Sequence, residues 1–181
     1  MPSAASTKKV FTIGLASLQA GAIDATNGAM PSSGLAQHGN VYRDTLNIET
    51  TDTTFDEFFE EEVDQPVGSQ ATLGDTNISF EILRPSVADL VFWAGGTADG
   101  GEWKAPIGYV ENLKAIQINS KQGYKIEFPK CEVSAVITGG GQKSTPMRLK
   151  VTANVLVPST SAGVDQSPMI VTEPSSGGTG T

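Results

Sequence analysis

Cysteine and histidine are almost absent from this 181-residue chain, which has one of each, Cys131 and His38. A lone cysteine excludes an intrachain disulfide framework and any cysteine-based zinc site within one chain. With one thiol and one imidazole, no nucleophile and base stand out as a pair, so the chain is not expected to be an enzyme. Long apolar runs are also missing. No stretch approaches the roughly 18 apolar residues that span a bilayer as a helix. Basic residues are outnumbered, 12 Lys and Arg against 20 Asp and Glu, giving a formal net charge of −8. Such a chain does not grip nucleic acid by neutralising phosphates, and its surface repels DNA that passes close by. Long helical periodicity and internal repeats are lacking too.

What is present has β texture. Glycine (20) and proline (10) punctuate the chain, as expected of an all-β domain. The length suits one domain with tails. These read as a mobile arm at 1–8, a β-domain at 9–158 and a Pro/Gly/Ser-rich tail at 159–181. Lys8-Lys9 followed by VFTIGLASLQAGA imitates a signal peptide ending at Ala22, but Thr12, Gly14, Ser17 and Gln19 break its apolar middle. The same residues alternate as a first strand over Lys9 to Ala16. From Gly21 to Asn40 runs a long aperiodic loop, of the kind that orders against a partner. Met30, Pro31, Leu35 and His38 are its candidate contact residues, with His38 a surface or turn residue.

The stretch Val41 to Val63 opens with alternation, Tyr42, Asp44, Leu46 and Ile48 against Arg43, Thr45, Asn47 and Glu49. Beyond the threonine-rich junction, Phe55, Phe58, Phe59 and Glu62 fit either a short amphipathic helix or a strand. As a strand, Phe55, Phe59 and Val63 share a face with Glu57 and Glu61, leaving Asp56, Phe58, Glu60 and Glu62 opposite. The junction favours turn or extended chain, so a long hairpin within Val41–Val63 is expected, one arm carrying a dense acidic face. Gln65 to Gln70 reads as a connector. From Ala71 to Leu83, Ile78, Phe80 and Ile82 face inward. Ser86 caps a two-turn helix that Gly95-Gly96 ends. Lys114 to Phe128 makes a tight hairpin, and Met147 to Val157 a last strand. Cys131 reads as a small core residue just before a strand that begins after Pro129-Lys130. The tail holds Met169-Ile170-Val171 as a docking segment in an otherwise disordered or partner-ordered stretch.

Candidate chemistry is thin. The glycine loop from Gly139 to Ser144 lacks the Gly-Lys-Ser/Thr ending of a phosphate loop and joins two strands. Glu60-Glu61-Glu62 with Asp56 and Glu57 offers oxygens to a hard cation, but without the ligand spacing of a calcium loop. No cofactor and no metal are expected. The mobile termini, the long loop and exposed strand edges suit a self-assembling protein.

At this point the order of elements resembles that of the phage major tail tube proteins. The residues that carry the resemblance are VFTIGLAS, DATNGAMPSSGLAQHGNVYRDT, the pair around NIETTDTTFDEFFEEE, NISFEIL and SVADLVFWAGG. It continues through KAIQINSKQGYKIEFPKCEVSAV and MRLKVTANVLVP, and covers Lys9 to Pro158. The Pro/Gly/Ser-rich tail after Pro158 departs from it. The resemblance implies a β-sandwich or barrel-like domain with a flanking helix. Copies would form hexameric rings with a shared inner β-barrel, stacked into a tube in the virion. DNA and a tape measure protein would pass through its channel without specific binding, and terminator and baseplate proteins would cap it. No membrane is implied. On this reading Glu49, Asp56, Glu60, Glu62 and Glu81 face the channel. Two alternatives stay open. One is the inner tube of a contractile injection or secretion system. The other is a secreted β-sandwich binding module with Met1 to Ala22 as a cleaved signal.

Overall fold

Strict alternation makes the strand Thr76–Leu83 the spine of the molecule, with Ile78, Phe80 and Ile82 fully buried on one side as predicted. The computed structural model describes residues 14–59, 61, 65–140 and 146–174. In chain order the elements are β1 (Leu15–Gly21), β2 (Asn40–Val41), β3 (Asn47–Thr50), β4 (Thr54–Phe58), β5 (Gly68–Thr72) and β6 (Thr76–Leu83). Then come α1 (Val87–Ala94), β7 (Thr97–Asp99), β8 (Glu102–Lys104), β9 (Leu113–Ser120), β10 (Lys125–Thr138), β11 (Arg148–Val155) and β12 (Ile170–Thr172). Among the described residues the fold is all-β with one short helix.

An eight-stranded antiparallel sheet, ordered β1, β9, β10, β11, β6, β2, with β3 also on β6 and β12 also on β10, curls into a nearly closed barrel. Its inner face is built in rows across the strands. Phe80, Val151 and Ala135 sit opposite one another, as do Ile78, Ala153 and Val133. Leu18 and Ala20 of β1, Ile116 and Ile118 of β9, and Phe128 and Cys131 of β10 complete the core. The first strand is Leu15–Gly21, later than the expected Lys9 to Ala16, of which Lys9 to Ile13 lie outside the described residues, and it is a core strand that cleavage after Ala22 would remove.

The helix closes the barrel's end. Ser86 and Asp89 form the reciprocal capping box that satisfies two free amide donors at its start. Trp93 is fully buried, edge-on to Phe80 at 5.3 Å. Asn112 Nδ2 donates to the carbonyls of Phe92 (3.1 Å) and Trp93 (2.9 Å), covering the helix's last oxygens.

Several expectations need correcting. The two halves of Val41–Val63 do not pair with each other. β3 and β4 lie on one arm, and its partner is the arm β5 and β6, so the hairpin is longer and Gln65 to Gln70 is partly strand. The threonine run is where this arm leaves the sheet. Threonine's branched Cβ favours extended chain there as readily as a turn. The early alternation also breaks at Asp44, whose φ of 61° turns the chain between β2 and β3. Pro129 does not start a new strand. It sits, buried, at a register shift inside one 14-residue strand, where a bulge removes the need for its missing amide. The tail up to Pro174 folds back on its own chain, with Ile170–Thr172 paired to Lys125–Glu127.

Candidate assembly surface

β4 and β5 form a two-stranded ribbon in which every residue is exposed. The ribbon begins where β3 and β6 stop pairing at Thr50 and Thr76. A clamp holds its base, with the Thr51 amide donating to Asp75 O (2.9 Å) and the Asp75 amide to Thr51 Oγ1 (2.8 Å). The clamp is so tight that a Cβ on Gly74 would lie 1.8 Å from the Thr51 carbonyl oxygen, so only glycine fits. From Thr50 to Phe59 the arm reaches about 30 Å at the strand rise.

Strand parity divides the ribbon into unlike faces. Phe55 stands opposite Ala71 and Glu57 opposite Ser69 on one face, which Leu73 continues by parity, while Phe59 and Val67 lie beyond the paired register, where the Val67 amide donates to the Phe58 carbonyl (2.8 Å). Phe55, Phe59, Val67 and Leu73 are 64%, 59%, 54% and 84% exposed. Asp56 is opposite Gln70 and Phe58 opposite Gly68 on the other face, where the Phe58 ring reaches to within 3.9 Å of a Cβ built on Gly68. The predicted parity of Phe55, Asp56, Glu57 and Phe58 matches this register. Sequence reasoning missed the return arm. Its signal, Val67, Ser69, Ala71 and Leu73 at a period of two, is weak because two of the four are small. A two-stranded ribbon alone is marginally stable in water, and contiguous exposed apolar residues mark a contact surface.

Charge is segregated in the same segment. Residues 45–83 hold ten of the 20 acidic residues and none of the 12 basic ones. The expected acidic set is dispersed. Glu49 and Glu81 share the outer face of the barrel through β3 and β6, Asp56 is on the ribbon, and Glu60 and Glu62 lie outside the described residues. Glu81 is tied to Arg148 at 2.9 Å, a hydrogen bond that raises the guanidinium's pKa, and Arg148 stacks over Tyr42 at 4.6 Å. The barrel's outer face is polar in cross-strand rows. Glu49, Asn77, Asn154 and Glu132 form one, and Asn47, Ser79, Thr152 and Ser134 the next. The Tyr109 hydroxyl donates to Glu132.

The long loop is anchored on its own chain. Ala36 bridges Ala20, Ser161 N donates to Thr26 O (2.9 Å), and Leu35 lies against Gly21. The His38 ring stacks on Phe92 at 3.5 Å, and its carbonyl accepts from Trp93 Nε1 at 3.1 Å. A Cβ on Gly39 would meet the Ile82 side chain at 2.4 Å, and its φ of +81° adds to the demand for glycine beneath the loop. Burial depresses the His38 pKa. Met30 and Pro31 are half-buried. Burial pushes the Cys131 thiol up to about 12, leaving it inert.

No protein-family model matches the chain, and no curated protein matches it either.

Proposed function

We propose that this chain is a structural subunit that assembles with copies of itself into a tube of stacked hexameric rings, like a phage tail tube. The observation that carries the reading is the ribbon. An all-β body with its own core extends a 30 Å-scale arm whose apolar face is left uncovered among the described residues. Burying Phe55, Phe59, Val67 and Leu73 between copies would contribute roughly 4–7 kcal/mol per ribbon before the entropy of association is subtracted.

The conduit part of the proposal is supported by the barrel's outer face. Its amides, hydroxyls and the carboxylates of Glu49 and Glu132 form a wall that hydrates well and offers DNA little to hold. Two cations share this face: Arg148 is engaged by Glu81, and the exposed Lys150 stands in the next row between Glu81 and Val136. On this reading DNA and a tape measure protein pass through the channel in the virion, and terminator and baseplate proteins meet the tube's ends.

Negative-stain electron microscopy of the purified full-length chain over a range of concentrations tests the proposal. Rings or hollow tubes with a central channel are expected. Single particles of subunit size at every concentration would overturn it.

A further inference from the structure

We propose that the ribbon of one copy docks its apolar face into the open seam of the barrel of a second copy, with Glu57 set against Arg43 and Lys121. This rests on the self-assembly reading above and names where the arm lands. The seam is the place where the sheet fails to close among the described residues. The start of β1 stands on one side, β2 and the turn after it on the other, and a groove of about 570 Å³ lies between. Leu15, Val41, Tyr42 and Leu46 give it an apolar side, and its charged lining is two cations, Arg43 and Lys121, against one carboxylate, Asp44. Arg43 is 92% exposed and its ion pair with the neighbouring Asp44 is 3.5 Å long, a contact that solvent makes weak. Outside the ribbon segment the chain has more basic than acidic residues, 12 against ten. Ribbons therefore repel each other and are drawn to another copy's body.

Geometry identifies the occupant as a second copy. The ribbon leaves the sheet beside Thr76, whereas the groove wall at Val41 and Tyr42 flanks Ile82 and Glu81, about 20 Å further along β6 at the strand rise. A ribbon that continues the line of β3 and β6 runs away from its own groove, so the groove it reaches belongs to a second copy. The contact joins unlike surfaces and so propagates from copy to copy. Of the other exposed apolar groups, Ile107 to Val110 is flanked by Glu111 and Glu132 and repels an acidic ribbon, while Val136 with Ile137 and Met169 to Val171 are smaller groups on β10 and in the tail.

Charge exchange on the full-length chain tests the docking. Glu57→Lys and Lys121→Glu are each expected to raise the critical concentration for assembly, read by sedimentation, by roughly tenfold. The double variant, carrying both changes in every copy, is expected to return to within about threefold of the unmodified chain. Both side chains are exposed, and circular dichroism checks that all three variants fold. If the unmodified chain assembles but the double variant is no better than the singles combined, the docking is overturned while self-assembly stands. Singles that leave the critical concentration unchanged overturn it likewise. If the unmodified chain stays monomeric throughout, both readings fall.

Discussion

The barrel and the ribbon come from one continuous hairpin, yet they obey opposite rules. In β6 every second residue is sealed against β11, α1 and the core. In β4 and β5, a few residues further along the same arms, nothing is buried and the apolar face looks outward. The same alternation yields a sealed core in one place and, among the described residues, an uncovered apolar face in the other. Burial, not strand propensity, separates the two. A protein that needed only to fold would gain nothing from three exposed phenylalanines on a marginal ribbon.

The sharpest break in this comparison comes from matched truncations. Trp93→Ala empties a fully buried site and is expected to cost about 3–5 kcal/mol of folding stability in urea titration. Labelling of the buried Cys131 thiol offers a second readout, since it becomes reactive only on unfolding. Phe55→Ser with Phe59→Ser is expected to leave stability within about 0.5 kcal/mol while abolishing assembly in sedimentation. Equal effects on folding in the two regions would erase the distinction. Gly74→Ala attacks the joint between them. Its Cβ cannot coexist with the Thr51 carbonyl oxygen, so the base clamp must open. The expected loss is about 1–2 kcal/mol in thermal melts, accompanied by weakened assembly.

Smaller effects sharpen the body's side of the comparison. Ser86→Ala removes the acceptor for the Asp89 amide and is expected to cost about 1 kcal/mol of stability. His38 gives the smallest effect. Its folded-state pKa lies below the ordinary imidazole value because stacking on Phe92 buries it, Asp89 and Lys114 acting on it in opposite senses. The unfolded chain therefore binds the proton more readily. Stability is complete above the unfolded pKa of about 6.5 and falls as pH drops from there towards the folded value, below which it levels off. Solvent screening at this half-buried ring keeps the change to about a degree in melting temperature. His38→Gln should flatten it, as melts at pH 7.5 and 5.5 would reveal.

The sequence disclosed most where burial is one-sided. Ile78, Phe80 and Ile82 announced β6, Ser86 and Gly95 bracketed the helix, and the turn before Gly123 joined β9 to β10. It disclosed least where pairing is between distant or solvent-exposed residues. β5 has no buried face to impose a pattern, so Gly68 to Gln70 looked like a connector. Pro129 reads as a strand breaker unless a bulge is foreseen, and bulges depend on the neighbouring strand's register. Ile170–Thr172 is too short to stand out from a polar tail. For the candidate surface, the parity of Phe55, Asp56, Glu57 and Phe58 was legible. The return arm and the seam were not, since both exist only once remote segments meet.

Hydrogen–deuterium exchange of the full-length chain, measured dilute and concentrated, tests the central claim most directly. The amides of Thr54–Phe58 and Gly68–Thr72 should exchange rapidly in dilute solution and become protected when concentrated, while β6, β10 and β11 stay protected in both. Ribbon amides equally protected, or equally unprotected, at both concentrations would contradict the division into a self-sufficient body and a partner-seeking arm.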